Sequence, residues 1–201
     1  MATQSSSAGF VTDSVEVAWR DGEPPLRIEL ASGLTYRVIA HDATACRRIA
    51  HNFLEYPAAE LVPHAGGLLA NLSVLENVLL PVVYHRGVNG AELEALVYAG
   101  FQACGVDREG ADALCARSAF ELDRFERRLV AVVRSLLMRP SLLVLERLFE
   151  GLAEDEMERA ALFSSCYRRV VDNGTLVYLD VAGMPGPVLI VDVRAEGSDA
   201  A

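Results

Sequence analysis

Arginine and histidine are the only basic side chains: the 201 residues hold 18 arginines and not one lysine. Schiff bases, lysine general bases and the phosphate-holding lysine of a P-loop are therefore excluded as chemistry for this chain. The histidines His41, His51, His64 and His85 have neither the spacing of a metal site nor a carboxylate triad around them, so surface roles are expected for all four. The cysteines Cys46, Cys104, Cys115 and Cys166 include no CxxC pair. Neither a zinc ribbon nor a redox motif is thus supported, and reduced, mostly buried thiols are expected.

Any chemistry must then come from how a fold places these residues. At 52% hydrophobic residues a chain of this length can bury a substantial core. A net charge of -10 sets the surface against nucleic acid and anionic membrane as partners. Residues 1–13 and 196–201, rich in small and polar residues, read as disordered ends around one domain at 14–195. Residues 1–9 lack the charged start and apolar stretch of a signal peptide. The most apolar run, 129–145, is broken by Arg134, Arg139 and Pro140. A cytoplasmic chain is expected, touching a membrane only through another protein.

Patterning predicts strands at 15–19 and 26–30 in a hairpin, then at 36–40, 59–62, 142–145, 176–179 and 188–193. Helices are predicted at about 47–56, from Ser73 toward Tyr84, at 91–104, 111–118, 123–138 and 154–170. Ser73 and Glu76 have the spacing of a capping box. Leu142-Leu143-Val144-Leu145 reads as a strand buried on both faces. Strands alternating with helices imply an α/β fold with a largely parallel sheet, interrupted by a helical insertion at about 73–118.

Two segments carry a family resemblance. Residues 66–81, GGLLANLSVLENVLLP, resemble the stretch after the Q-loop of ATP-binding-cassette (ABC) ATPases, most of all those of bacterial lipid transporters of the Mla/Mce type. Residues 122–151, LDRFERRLVAVVRSLLMRPSLLVLERLFEG, are similar to the signature helix and Walker B strand of that family. The resemblance implies a P-loop NTPase-like fold. Only 17 residues separate Cys46 from His64, so the family's extra antiparallel strands are expected to be trimmed.

Motif by motif, the same register places losses on the nucleotide chemistry. Ala40, Ala43 and Ala45 stand for Walker A glycines, Cys46 for the lysine and Arg47 for the magnesium-binding serine. A Cβ at each alanine disfavours the positive φ that a phosphate cradle uses, and Asp42 adds a carboxylate where phosphate would sit. Asp123, Arg124, Phe125 and Glu126 replace the signature motif, with Asp123 placed to cap the helix. At Walker B, Glu146 stands for the magnesium-binding Asp and Arg147 for the catalytic Glu. A guanidinium cannot accept a proton from attacking water, so Arg147 is read as an ion-pair partner of Glu146 or Glu150. His64 stands at the Q-loop position, and Asp180 and Val181 where the switch histidine is expected.

No catalytic residue, metal or nucleotide is therefore expected, although Arg47 and Arg48 beside a helix start leave residual anion binding open. The resemblance implies a degenerate subunit that binds protein, a transporter permease or an active ABC ATPase, through a surface at Gly66, Gly67, Leu68 and Leu69. Two alternatives stand beside it: a divergent ATPase that uses ATP and magnesium with a competent partner, and a free-standing scaffold unrelated to transport.

Overall fold

The computed structural model describes residues 12–18, 22, 24–86, 90–183 and 192–193. In chain order the elements are β1 (Thr12–Val17), β2 (Leu26–Ala31), β3 (Thr35–Ala40), α1 (Ala43–Phe53), β4 (Ala59–Val62), α2 (Val74–Arg86), α3 (Gly90–Ala103) and α4 (Arg108–Cys115). A short 3-10 turn, Ala119–Glu121, leads to α5 (Arg124–Met138), β5 (Leu142–Glu146), α6 (Glu154–Ala161), α7 (Phe163–Val170), β6 (Thr175–Val181) and β7 (Asp192–Val193). Strands β4-β5-β6-β3-β7 form one parallel sheet, and β1 and β2 pair antiparallel beside it.

The apolar run of β5 is explained by what lies on each side of the sheet. Leu142 and Val144 join a core made with α1, β1 and β2, whereas Leu143 and Leu145 join the core of α5, α7 and the helical insertion. Alternate residues thus face different apolar layers, and Leu142 to Leu145 are all fully buried.

The insertion opens and closes at one point. Ser73 and Ser118 form an isolated antiparallel bridge, flanked by Val74 N–H to Arg117 O at 3.0 Å and Ala119 N–H to Leu72 O at 3.1 Å. The expected capping box is present, with Ser73 N–H donating to Glu76 Oε2 at 2.7 Å.

Several boundaries differ from the sequence expectation, among them α4, expected at 111–118 but found at Arg108–Cys115 because Asp107 caps it. β1 begins at Thr12, inside the stretch read as a disordered end. α1 begins at Ala43, four residues before the expected start at Arg47, because Asp42 caps it and alanine is the strongest helix former. The helix expected at 154–170 breaks at Leu162, whose N–H turns back to Arg159 O. That break leaves Leu162 59% exposed while Phe163 enters the core at 1%. Of the strand expected at 188–193, Asp192–Val193 is described. The rest of it, residues 1–11 and the tail 196–201 lie outside the described residues.

Candidate functional site

The sheet's carboxyl edge, the usual site of function in such folds, gathers the residues singled out in the sequence. β3 ends at Ala40, and the chain passes through His41 and Asp42 directly into α1. The Asp42 carboxylate accepts from Ala45 N–H at 2.8 Å and also from Thr44 N–H, and these bonds hold its pKa below the usual carboxylate range. His41 lies 3.0 Å from its other oxygen. Cys46 N–H closes the first helical turn on Asp42 O at 2.9 Å.

No residue from Ala40 to Cys46 has a positive φ, so the alternating conformation that turns successive N–H groups around an anion is absent. The Cys46 side chain is fully buried, with Sγ 3.7 Å from Leu179 O. Burial, and then the Glu146 carboxylate, push its thiol up to about 12. Arg47 is exposed and Arg48 half-buried.

At the end of β5, Glu146 and Arg147 are 6% and 8% exposed. Arg147 has φ 45, a left-handed conformation that a non-glycine residue adopts at some cost. Its N–H donates to Leu179 O at 2.8 Å, and its guanidinium pairs with Glu150 at 3.1 Å. Glu150, not Glu146, is thus the ion-pair partner.

Glu146 instead faces the Q-loop position: its Oε2 accepts from His64 N–H at 3.4 Å and lies 4.0 Å from His64 Nδ1. Partial burial and the Arg147 charge move the His64 imidazole below its ordinary pKa despite this carboxylate. At the switch position Asp180 is 1% exposed and paired with Arg37 at 2.8 Å. Burial raises its carboxyl even so.

The start of α5 completes the site. Asp123 accepts from Glu126 N–H at 2.7 Å, and Glu126 returns to Asp123 N–H at 3.0 Å. This capping box occupies the helix N-terminus with the protein's own carboxylates. One turn on, Arg128 is 2% exposed and ties two segments together, donating to His64 O at 2.9 Å and Glu150 O at 2.7 Å. A cavity of about 660 Å³ lies between His64, Asp123, Arg124, Arg128 and Gly151. Arg128 was not singled out from the sequence. The available signal was an arginine at the head of the apolar run Leu129 to Val133, a position that folding buries.

The candidate docking loop is built by side chains from α2 and α5. Asn77, fully buried on α2, accepts from Leu69 N–H at 2.7 Å and donates to Leu69 O at 3.0 Å and Ser73 O at 2.9 Å. Arg134 donates to Gly67 O at 2.9 Å. Of the four residues proposed from sequence, Leu69 is 48% exposed, Gly67 is exposed, Leu68 packs partly on the core and Gly66 is buried. Gly66 therefore shapes the loop from beneath and offers no side of its own to a partner.

A Cβ on Gly66 would stand 2.8 Å from Arg127 O, at φ +82. Gly66→Ala is expected to lose about 2 kcal/mol or more in urea unfolding, combining steric and left-handed penalties. Gly105→Ala, at φ +78 but with nothing within 4 Å, is expected to lose only about 1 kcal/mol. Equal losses at the two sites would show that the close approach to α5 is not what Gly66 serves.

With this geometry in place the chain can be set beside known proteins. No protein-family profile and no curated protein matches the sequence. Among solved structures, cbiO1 from Clostridium perfringens, part of the ABC transporter complex cbiONQ, superposes with a TM-score of 0.67 at 12% identity, covering 86% of this chain and 78% of that one. The ATP-binding cassette MJ0796, solved as a dimer in a post-hydrolysis state with ADP and Pi, superposes with a TM-score of 0.64 at 14% identity, covering 86% and 88%. The fold is that of an ABC ATPase. Within it, Ala40 ends β3, His64 follows β4 and Glu146 ends β5, and Asp123 and Arg124 line the cavity beside His64.

Proposed function

We propose that this chain is a non-hydrolysing, protein-binding member of an ABC transport system, a subunit that docks on a permease, on an active ABC ATPase or on both. The observation that carries the reading is the second apolar face of α2. Val74, Val78 and Val82 form one stripe at 0% exposure. Leu75, Leu79 and Val83, each one residue further on, form another that is 39% exposed at Leu75 and 52% at Val83. An apolar stripe on the outer side of a helix already packed on its inner side marks a surface that a partner can cover. Leu69, on the loop before α2, is 48% exposed, and Leu75 and Leu79 line a groove of about 450 Å³ with Leu93, Val97 and Tyr98, rimmed by Glu94 and Asp112. Such a groove suits the apolar anchors of an amphipathic helix.

The nucleotide side supports the same reading, because Asp42, Asp123 and the Arg147–Glu150 pair use the positions where phosphate and attacking water would be handled. cbiO1 belongs to a multi-subunit transporter, and the Mla/Mce resemblance assigns lipid or another hydrophobic substrate, at the cytoplasmic face of the inner membrane. In affinity purification from its native host, the wild-type chain is expected to retain a membrane permease or an ABC ATPase subunit, identified by mass spectrometry. Leu69→Arg should lower that recovery at least about tenfold with an unchanged melting temperature, since the loop backbone is held by Asn77 and not by the Leu69 side chain. Undiminished recovery with the variant would remove the docking assignment. A wild type that retains neither partner would favour a free-standing scaffold.

A further inference from the structure

The cavity of about 660 Å³ at the start of α5 gathers the guanidiniums of Arg124, Arg127 and Arg128 in a chain whose net charge is -10. Each of them hydrogen-bonds to neutral backbone oxygens. Arg124 donates to Gly151 O at 3.2 Å, Arg127 to Leu122 O at 2.9 Å and Phe120 O at 3.0 Å, and Arg128 to His64 O and Glu150 O. A carbonyl accepts a hydrogen bond without neutralising the charge behind it, so positive charge is left facing one space.

Arg128 is the decisive member. It is 2% exposed, and its third nitrogen, Nη1, is buried with no hydrogen-bond partner among the described residues. Buried polar groups are almost always satisfied, and a charged donor left without an acceptor is costly. The other two nitrogens are held from different sides, Nε by the chain after β4 and Nη2 by the chain after β5. The fork is therefore fixed before a ligand arrives, which lowers the ordering cost of binding one.

We infer that this cavity is a binding site for a small organic carboxylate, anchored on Nη1 of Arg128, with Arg124 and Arg127 supplying the remaining positive charge. A planar carboxylate matches the guanidinium fork. The volume lies within the range of small-ligand sites, and Ala65 and Leu122 give the organic remainder an apolar wall. The ligand's charge is set by the carboxylates that also line the space. Asp123 is held by Glu126 N–H at 2.7 Å and Glu150 by Arg147 at 3.1 Å. The guanidiniums balance a monoanion, whereas a phosphate dianion or a polyphosphate brings surplus charge against Asp123 and Glu150. None of the lining residues belongs to α2 or to the loop Gly66 to Leu69, so this inference is independent of the docking reading.

The test follows the arginine side-chain signals in proton–nitrogen correlation spectra of the full chain, titrated with sodium acetate, sodium hexanoate, sodium phosphate or sodium chloride at equal ionic strength. Acetate is expected to shift the Arg128 Nε–H signal saturably in the millimolar range. Hexanoate, which also reaches Leu122, should bind about tenfold more tightly, phosphate more weakly than acetate, and chloride without saturation. Arg124→Gln, at an exposed position, should weaken acetate binding at least about threefold with an unchanged melting temperature. Arg128→Lys keeps the charge but loses the fork, and should weaken it at least about tenfold; if that variant is unstable, Arg124→Gln decides alone. The same shifts with chloride, phosphate bound more tightly than acetate, or undiminished acetate affinity in Arg124→Gln would each overturn the assignment.

Discussion

Val144→Asp is expected to yield no soluble, cooperatively folding protein. Val144 is fully buried at the centre of β5, paired in register with Leu61 on one side and Val177 on the other. Its side chain faces the core shared by α1, β1 and β2, where a carboxylate finds apolar neighbours. Burying an unpaired carboxylate costs several kcal/mol, and a domain's whole net stability is only about 5–15 kcal/mol. Val83→Asp is the matched control: the same change at 52% exposure on α2 should move stability by no more than about 0.5 kcal/mol. Soluble yield, circular dichroism and a urea transition measure both. A soluble Val144→Asp protein with a cooperative transition would mean that β5 is not the strand both layers pack against.

The same strand marks where sequence reading succeeds. Leu142 to Leu145 is legible because a parallel strand covered on both faces needs apolar side chains at every position. The insertion is legible because Ser73-Glu76 and Asp123-Glu126 carry helix-start chemistry in consecutive residues. Reading failed where the register of a family loop was imposed on residues with a different local preference. Asp42-Ala43-Thr44-Ala45 forms a cap and a first helical turn, which its own composition favours.

Contacts between distant segments were also beyond reach. That Arg128 joins His64 to Glu150, and that Arg169 reaches Ala103, depends on which elements touch. No spacing rule encodes this. Arg147 lies between the two cases, because an ion pair was foreseeable from its neighbours, but the choice of Glu150 over Glu146 follows from its left-handed backbone and from Glu146 turning toward His64.

The purified chain is expected to show no saturable binding of Mg-ATP and no hydrolysis above background, by calorimetric titration, thermal shift and phosphate release. A ligand present at 100 times its Kd stabilises a protein by about 2.7 kcal/mol, which for a domain of this size raises the melting temperature by roughly 5–10 °C. At millimolar Mg-ATP the expected shift is below about 1 °C. The reason is local and threefold. The N–H groups of Thr44 and Ala45 are held by the Asp42 carboxylate, Cys46 is turned into the core, and Arg147 is committed to Glu150. Restoring one group should therefore fail. Cys46→Lys puts an ammonium at a fully buried position beside Leu179 and leaves Asp42 in the phosphate's place, so its expected result is lost stability with still no nucleotide bound. Asp42→Ser together with Ala43→Gly, Ala45→Gly and Cys46→Lys is the smallest change that frees the helix start, readmits positive φ and supplies the cation. It should regain phosphate affinity before any turnover, because Arg147 still cannot accept a proton from water. A wild-type shift of 5 °C or more, or turnover in the Cys46→Lys protein, would show that nucleotide is handled by groups other than these.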